Sequence, residues 1–236
     1  MQLLRSSLLW ASRNGRVERI VRSSRAMRPL VSRFMPGESI GEAISAVRRL
    51  KAEGTPVIMT YLGENVATDA NAEETVAEYE RLFAALKWEG ADAHVSIKLT
   101  QFGWDVDKAR ALDRVRRLAG LAATNSTILA IDIESSPYVD STVDAYERLA
   151  RESSNVALCL QAYLHRTPKD VVRLLPLPPY IRLVKGAYRE TSDIALQQRA
   201  EIDRQYEALA IQLLAAHVKS GARVVFGTHD LALVER

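Results

Sequence analysis

Cysteine is almost missing from this sequence: Cys159 is the single example in 236 residues. No intrachain disulfide can form, no multi-cysteine zinc site can be built, and a reducing compartment fits such a chain. Long apolar runs are missing too, since none approaches the ~18 residues that a membrane-spanning helix needs. Acids are scarce at the start. Residues 1–33 hold eight arginines and one acid, Glu18, a charge of +7. The whole chain carries +3, so the remainder carries −4. A body of that sign argues against nucleic-acid binding. Nor does a G-x-G-x-x-G string follow any candidate strand, which weakens an open dinucleotide-binding sheet.

What is present is a core and an arm. Apolar residues make up 47% and charged residues 26%, enough to bury one large core and too apolar for wholesale disorder. Residues 1–38 form the basic arm, and 39–236 the body. The arm reads in three ways. It has the Arg- and Ser-rich, acid-poor character of a mitochondrial transit peptide. It also suits a basic amphipathic helix on an anionic membrane, with Leu3, Leu4, Leu8, Leu9 and Trp10 as its apolar part. The third reading is a solvated helix packed on the body.

From residue 39 onward the pattern alternates between two periods. Ser39-Ile40-Gly41-Glu42 is a capping box, followed by apolar residues at helical spacing up to Gly54. Continuous apolar runs at 57–62, 94–99, 128–133, 156–161, 180–185 and 223–227 predict strands. Helices are predicted over about 71–87, 106–122, 141–153 and 193–220, with a short one opening at Thr167-Pro168 and another begun at Asp230. Strands without alternation are buried on both faces, which means a parallel sheet covered by helices. The fold class is therefore α/β, as a doubly wound sheet or a (βα)8 barrel, of which about six βα units are present.

Polar side chains favour the barrel. Glu64, Lys98, Asp132, Gln161, Lys185, Thr228 and His229 recur at the C-terminal end of strand after strand, where a barrel gathers its active site. Loop polarity alone does not explain Lys98, Asp132 and Arg182 inside apolar runs, where an unpaired charge costs several kcal/mol or more. Lys98 suits an anionic substrate group or a Schiff base. Asp132 needs a partner, and Arg182 and Lys98 match it in charge; a purely structural ion pair is the alternative. Arg182 and Val184 share one strand face, Leu183 and Lys185 the other. Gly186 and Ala187 would let a flat ligand or a phosphate approach the backbone. His229 precedes a helix start, which suits an anion. His94, His165 and His217 lack metal-ligand spacing, so no metal site is expected. Cys159 reads as inert core.

Six strings in order resemble the monofunctional bacterial proline dehydrogenases: Tyr61-Leu62-Gly63-Glu64-Asn65-Val66, Val95 to Gly103, Ile131-Asp132-Ile133-Glu134, Leu160-Gln161-Ala162-Tyr163, Arg182-Leu183-Val184-Lys185-Gly186-Ala187-Tyr188 and Gly227-Thr228-His229. The resemblance implies a (βα)8 barrel holding FAD without covalent linkage. It implies oxidation of L-proline to Δ1-pyrroline-5-carboxylate, with hydride passing to flavin N5 and electrons to a membrane quinone. It makes Lys98 the ligand of the substrate carboxylate and Asp132 and Arg182 the catalytic pair. Gln161, Lys185, Gly186, Ala187, Thr228, His229 and the backbone of Ile133 would contact FAD. A quinone partner gives the arm a reason to meet anionic lipid, with the body in the cytoplasm, at the inner face of a membrane, or in the mitochondrial matrix of a eukaryote.

The family also carries two further strands and a last helix with a Tyr-x-x-Arg-Arg pattern. The sequence shows none of these after Arg236, and the expectation is a truncated chain that is inactive and poorly soluble on its own. Two rival functions remain at this stage. One is a Schiff-base aldolase using Lys98 or Lys185, and the other a non-catalytic fragment that serves as an assembly partner. A related flavin barrel acting on folates is disfavoured by the Arg-Leu-Val-Lys-Gly-Ala-Tyr string.

Overall fold

A computed structural model describes residues 37, 39–177 and 179–235. The basic arm expected over 1–38 lies outside the described residues apart from Gly37. The chain alternates strictly: α1 (Ile40–Ala52), β1 (Ile58–Thr60), α2 (Asp69–Trp88), β2 (His94–Ile97), α3 (Lys108–Thr124), β3 (Leu129–Ile131), α4 (Ser136–Glu152), β4 (Val156–Gln161), α5 (Thr167–Leu174), β5 (Tyr180–Val184), α6 (Arg199–Ser220), β6 (Arg223–Gly227) and α7 (Leu231–Val234). A 3-10 turn, Leu99–Phe102, follows β2. The six strands are parallel and lie in sequence order, forming a curled half-barrel of the (βα)8 type.

The strands have two unlike faces. Val95, Ile97, Leu129, Ile131, Leu158, Leu160, Ile181 and Leu183 point to the helices and are almost wholly buried there. The opposite face carries small or polar residues in register. Ser96 lies beside Ala130, and Cys159 beside Arg182. Lower on that face Ile128, Ala130 and Ala157 form a second small cluster against Tyr180. Small side chains on the concave face leave room above them, and the polar residues at the strand ends fill that rim. The edges differ from the centre. In β1, Ile58 and Thr60 are exposed, and on α6 Ile211, Leu214 and Val218 are exposed.

Boundaries depart from the sequence reading where local chemistry intervenes. The Ser39–Glu42 capping box forms as read. Thr68 caps α2, its hydroxyl accepting from the amide of Asn71, so that helix starts before the Asn71 expected. Pro137 in the first turn lets α4 begin at Ser136 rather than near 141. α6 begins at Arg199, not 193. Residues 194–196 instead bond to the β4–α5 loop, through His165 N to Ile194 O and Leu196 N to Tyr163 O, with Ala195 fully buried. Thr167 opens α5, but its hydroxyl donates to Gln161 O (2.6 Å) instead of capping the helix.

Candidate active site

A cavity of about 630 Å³ opens at the C-terminal ends of β2 to β6. Ten of the residues singled out by the sequence line it: Lys98, Asp132, Ile133, Gln161, Arg182, Lys185, Gly186, Ala187, Thr228 and His229; Glu64 is not in the lining but lies beside Lys98. They come from five successive strand ends, and the parallel topology is what brings them together.

Asp132 is the centre of charge. It stands one residue beyond β3, where its amide still bonds to Ile97 O (2.7 Å) and fixes its backbone. Its Oδ1 accepts from Arg182 Nη2 at 2.5 Å and from Ser96 Oγ at 2.5 Å. Its Oδ2 lies 3.9 Å from Lys98 Nζ, and Lys98 Nζ lies 3.8 Å from Glu64 Oε1. Both lysine distances exceed hydrogen-bond length, so the ammonium is attracted to the acids without being tied to either. Arg182 is largely buried, which opposes its charge, yet the adjoining Asp132 carboxylate helps hold its pKa above the ordinary arginine value. Its Nε is buried and has no partner among the described residues.

Lys98 itself is placed by its backbone. Its amide donates to Gln101 Oε1 (2.8 Å), and Gln101 Nε2 donates to Tyr61 O (2.6 Å). Tyr79 OH accepts from the amide of Tyr61 (3.2 Å) and donates to Ser96 O (3.0 Å). Gln101 and Tyr79 thus join the ends of β1 and β2. Nearby, Glu134 is buried and accepts from both the amide and the hydroxyl of Thr100 (3.2 and 2.5 Å). Burial raises its pKa above the ordinary glutamate value. The Thr100 bonds and Lys98 work against that rise, and the charge of Glu64 adds to it.

The other wall is built around one carboxamide. Gln161 Nε2 donates to Glu134 O (3.1 Å), and its Oε1 accepts from the amide of Ala187 (3.0 Å). Gly186 is required by packing, since a Cβ would lie 2.2 Å from Tyr163 Cδ1 at a φ of +136°. The sequence reading gives that glycine to ligand approach; the Tyr163 ring is a second, independent reason for it. Lys185 leaves the strand on the face opposite Arg182, but β5 ends at Val184, and Lys185 lines the same cavity, as its place at a strand end predicts. Its ammonium pairs with Asp203 on α6 and with Asp230 Oδ2 (2.8 Å). Burial alone would lower its pKa, but those bonds carry it above the ordinary lysine value. Arg199 Nη2 shares Asp230 Oδ2 at 2.8 Å. Hydrogen bonds from Lys185 and Arg199 depress the Asp230 carboxyl to about 2. A helix does start beyond His229, with Asp230 as its N-cap residue.

Sequence reasoning passed over Ser96, Arg199, Asp203 and Asp230, and it assigned Cys159 to inert core. Cys159 is buried but lines the cavity, and burial pushes its thiol pKa up. The i, i+2 rule held the signal: Ser96 precedes Lys98 by two residues and Cys159 precedes Gln161 by two, so each shares a strand face with a chosen residue. Among the described residues, no group of three or more potential ligands is arranged for a metal ion, and no helix is long and apolar enough to cross a membrane.

Comparison with known proteins gives a consistent picture. The family model described as proline dehydrogenase matches residues 43–236. Proline dehydrogenase of Deinococcus radiodurans is 32% identical over 239 residues, covering 99% of this chain and 75% of the relative. Proline dehydrogenase 2 of Bacillus subtilis subsp. natto is 27% identical over 235 residues, covering 100% of this chain and 76% of the relative. Among solved structures, proline utilization A from Bdellovibrio bacteriovorus, inactivated by N-propargylglycine, superposes with a TM-score of 0.76 at 23% identity. That match covers 85% of this chain and 25% of the larger protein, and at this identity the likeness is one of fold.

Proposed function

Because the chain belongs to the proline dehydrogenase family, we propose that it oxidises L-proline to Δ1-pyrroline-5-carboxylate with FAD, and that electrons go on to a quinone. The observation that carries this reading is the Lys98–Asp132–Arg182 constellation at the mouth of the half-barrel, with Asp132 Oδ1 bonded to Arg182 and its Oδ2 turned toward Lys98.

The residues suit a flavin. Arg182 Nε is a buried donor with no partner among the described residues, and it lines the cavity. Gln161, the backbone of Ile133, Gly186 and Ala187, and the side chains of Thr228 and His229 would hold the cofactor along the rim. Lys185 and Arg199 stand at the end suited to a diphosphate, balanced by Asp203 and Asp230. FAD, once bound, supplies the acceptor for the hydride that leaves the ring carbon next to nitrogen.

The chain's own residues do the rest. Lys98, held near two acids but bonded to neither, receives the substrate carboxylate and fixes one end of the ring. Asp132 Oδ2 faces the ring nitrogen, orients it and takes up its proton, so the amine is neutral when the hydride leaves. Arg182 holds Asp132 in place through the bond to Oδ1 and puts a positive charge where the electron-rich product state forms. The arm of residues 1–38 is the part that would rest on anionic lipid, where a quinone is reached. A Schiff-base aldolase built on Lys185 fits less well. An imine-forming lysine needs a lowered pKa, and the partners of Lys185 raise it.

The test is to purify the whole chain, supply FAD, and record the visible flavin spectrum before and after anaerobic L-proline. Binding followed by bleaching is expected, against the inactive chain that the sequence alone led us to expect, with Asp132→Ala and Arg182→Ala unable to bleach. A chain that takes up no flavin, or takes up flavin that L-proline leaves oxidised, overturns the proposal.

A further inference from the structure

The reading above leaves unexplained why a serine lies fully inside the sheet beside the catalytic acid. Ser96 is 2% exposed, between Val95 and Ile97, which are wholly buried on the helix side. On the concave face its register partners are Thr60 on β1 and Ala130 on β3. A buried hydroxyl costs free energy unless it is bonded, and an alanine would pack there without that cost. The hydroxyl lies 2.5 Å from Asp132 Oδ1, the oxygen that also accepts from Arg182 Nη2.

We infer that Ser96 is a positioning residue: its hydroxyl donates to Asp132 Oδ1 and, with Arg182, locks the carboxylate so that Oδ2 alone is presented to the substrate. The inference deepens the proposed proline oxidation and rests on it. One donor would leave the carboxylate free to rotate about its last torsion, which is broad for aspartate. Two donors on one oxygen, arriving from β2 and β5 on either side of β3, remove that freedom. The second oxygen then has Lys98 at 3.9 Å as its neighbour, in the place where a proline carrying both an amine and a carboxylate would lie. The bond is charge-assisted, of the class whose loss shifts an equilibrium about tenfold or more.

The test uses the whole chain with FAD and the variants Ser96→Ala and Ser96→Thr. Ser96→Ala is expected to lower kcat for L-proline about tenfold while KM stays within about twofold, because Lys98 and the pocket shape are untouched. Ser96→Thr, which keeps the hydroxyl, is expected to recover most of that loss. A double-mutant cycle of Ser96→Ala with Asp132→Ala, read by urea unfolding, is expected to show about a tenfold coupling in the unfolding constant. Where Asp132→Ala does not fold, Asp132→Asn takes its place and the coupling shrinks, because the charge is gone. An unchanged kcat in Ser96→Ala, a threonine variant as slow as the alanine one, or a cycle without coupling overturns the inference. If the unaltered chain binds flavin but leaves proline untouched, the functional reading fails, and the unfolding cycle still decides whether Ser96 holds Asp132.

Discussion

Gly186→Ala meets two separate obstacles. The first is steric. The new Cβ would sit 2.2, 2.5 and 2.6 Å from Cδ1, Cε1 and Cγ of Tyr163. That ring cannot swing away cheaply, because it is buried and its hydroxyl donates to Tyr188 O at 3.0 Å. Forced overpacking of this kind costs about 1–3 kcal/mol. The second is conformational. A φ of +136° belongs to a region that only glycine enters freely, at about 1–3 kcal/mol for other residues. Together the two reach about 2–6 kcal/mol. At about 2–4 °C per kcal/mol for a domain of this size, the melting temperature should fall on the order of 10 °C. Circular dichroism melts of Gly186→Ala, Tyr163→Leu and the double variant separate the two obstacles. The double variant loses the clash but keeps the strained φ, so it should recover about half of the alanine penalty relative to Tyr163→Leu. If Gly186→Ala melts with the unaltered chain, the reasoning about this turn is wrong.

Other substitutions probe other parts of the rim and its supports. Arg114 is buried and donates to Glu73 (2.8 Å), Phe102 O (3.0 Å) and Asp69 (2.6 Å). Arg114→Met should cost about 1–3 kcal/mol in urea unfolding by stranding the Phe102 carbonyl, and Arg114→Lys should fail to restore it, having no fork of donors. Glu134 has a folded pKa above the ordinary 4.5, so its penalty appears as pH rises from about that value and levels off above the folded pKa. Urea midpoints of Glu134→Gln should therefore gain on the unaltered chain as pH increases through that window; a constant difference refutes the assignment. Asp230 shows the opposite sign, because its folded value of about 2 lies below 3.8. Its contribution is complete above 3.8 and lost as pH falls toward 2, so the stability gap between the unaltered chain and Asp230→Asn should close across that interval.

The strands were legible because their buried faces are written in runs of β-branched and leucine residues. β4 and β6 keep the limits that the sequence predicts. Lys98, Asp132 and Arg182 stood out because charge inside an apolar run demands a reason, and the parallel topology then delivers them to one cavity. Three kinds of information were harder to read. Thr68 and Pro137 shift helix starts through single hydrogen bonds or a missing donor, which period counting does not weigh. Residues 193–198 carry a pattern compatible with helix, but long-range bonds to the β4–α5 loop hold them open. Ser96 and Cys159 are small residues in apolar runs, and their importance comes only from what stands beside them across the sheet. The ion cluster of Lys185, Asp203, Asp230 and Arg199 likewise joins residues up to 45 positions apart, a distance at which spacing says nothing.

Gln161 has one consequence for how this rim can change over generations. Its amide ties a carbonyl past β3 to a backbone N–H past β5, so three neighbouring loops share a single rivet. Glutamate at this position would set oxygen against oxygen at the Glu134 carbonyl, and leucine would silence both ends. Asparagine, shorter by one methylene, would span only one of the gaps. Variation can therefore accumulate in each loop's outer residues, while the shape of the mouth is inherited as one piece.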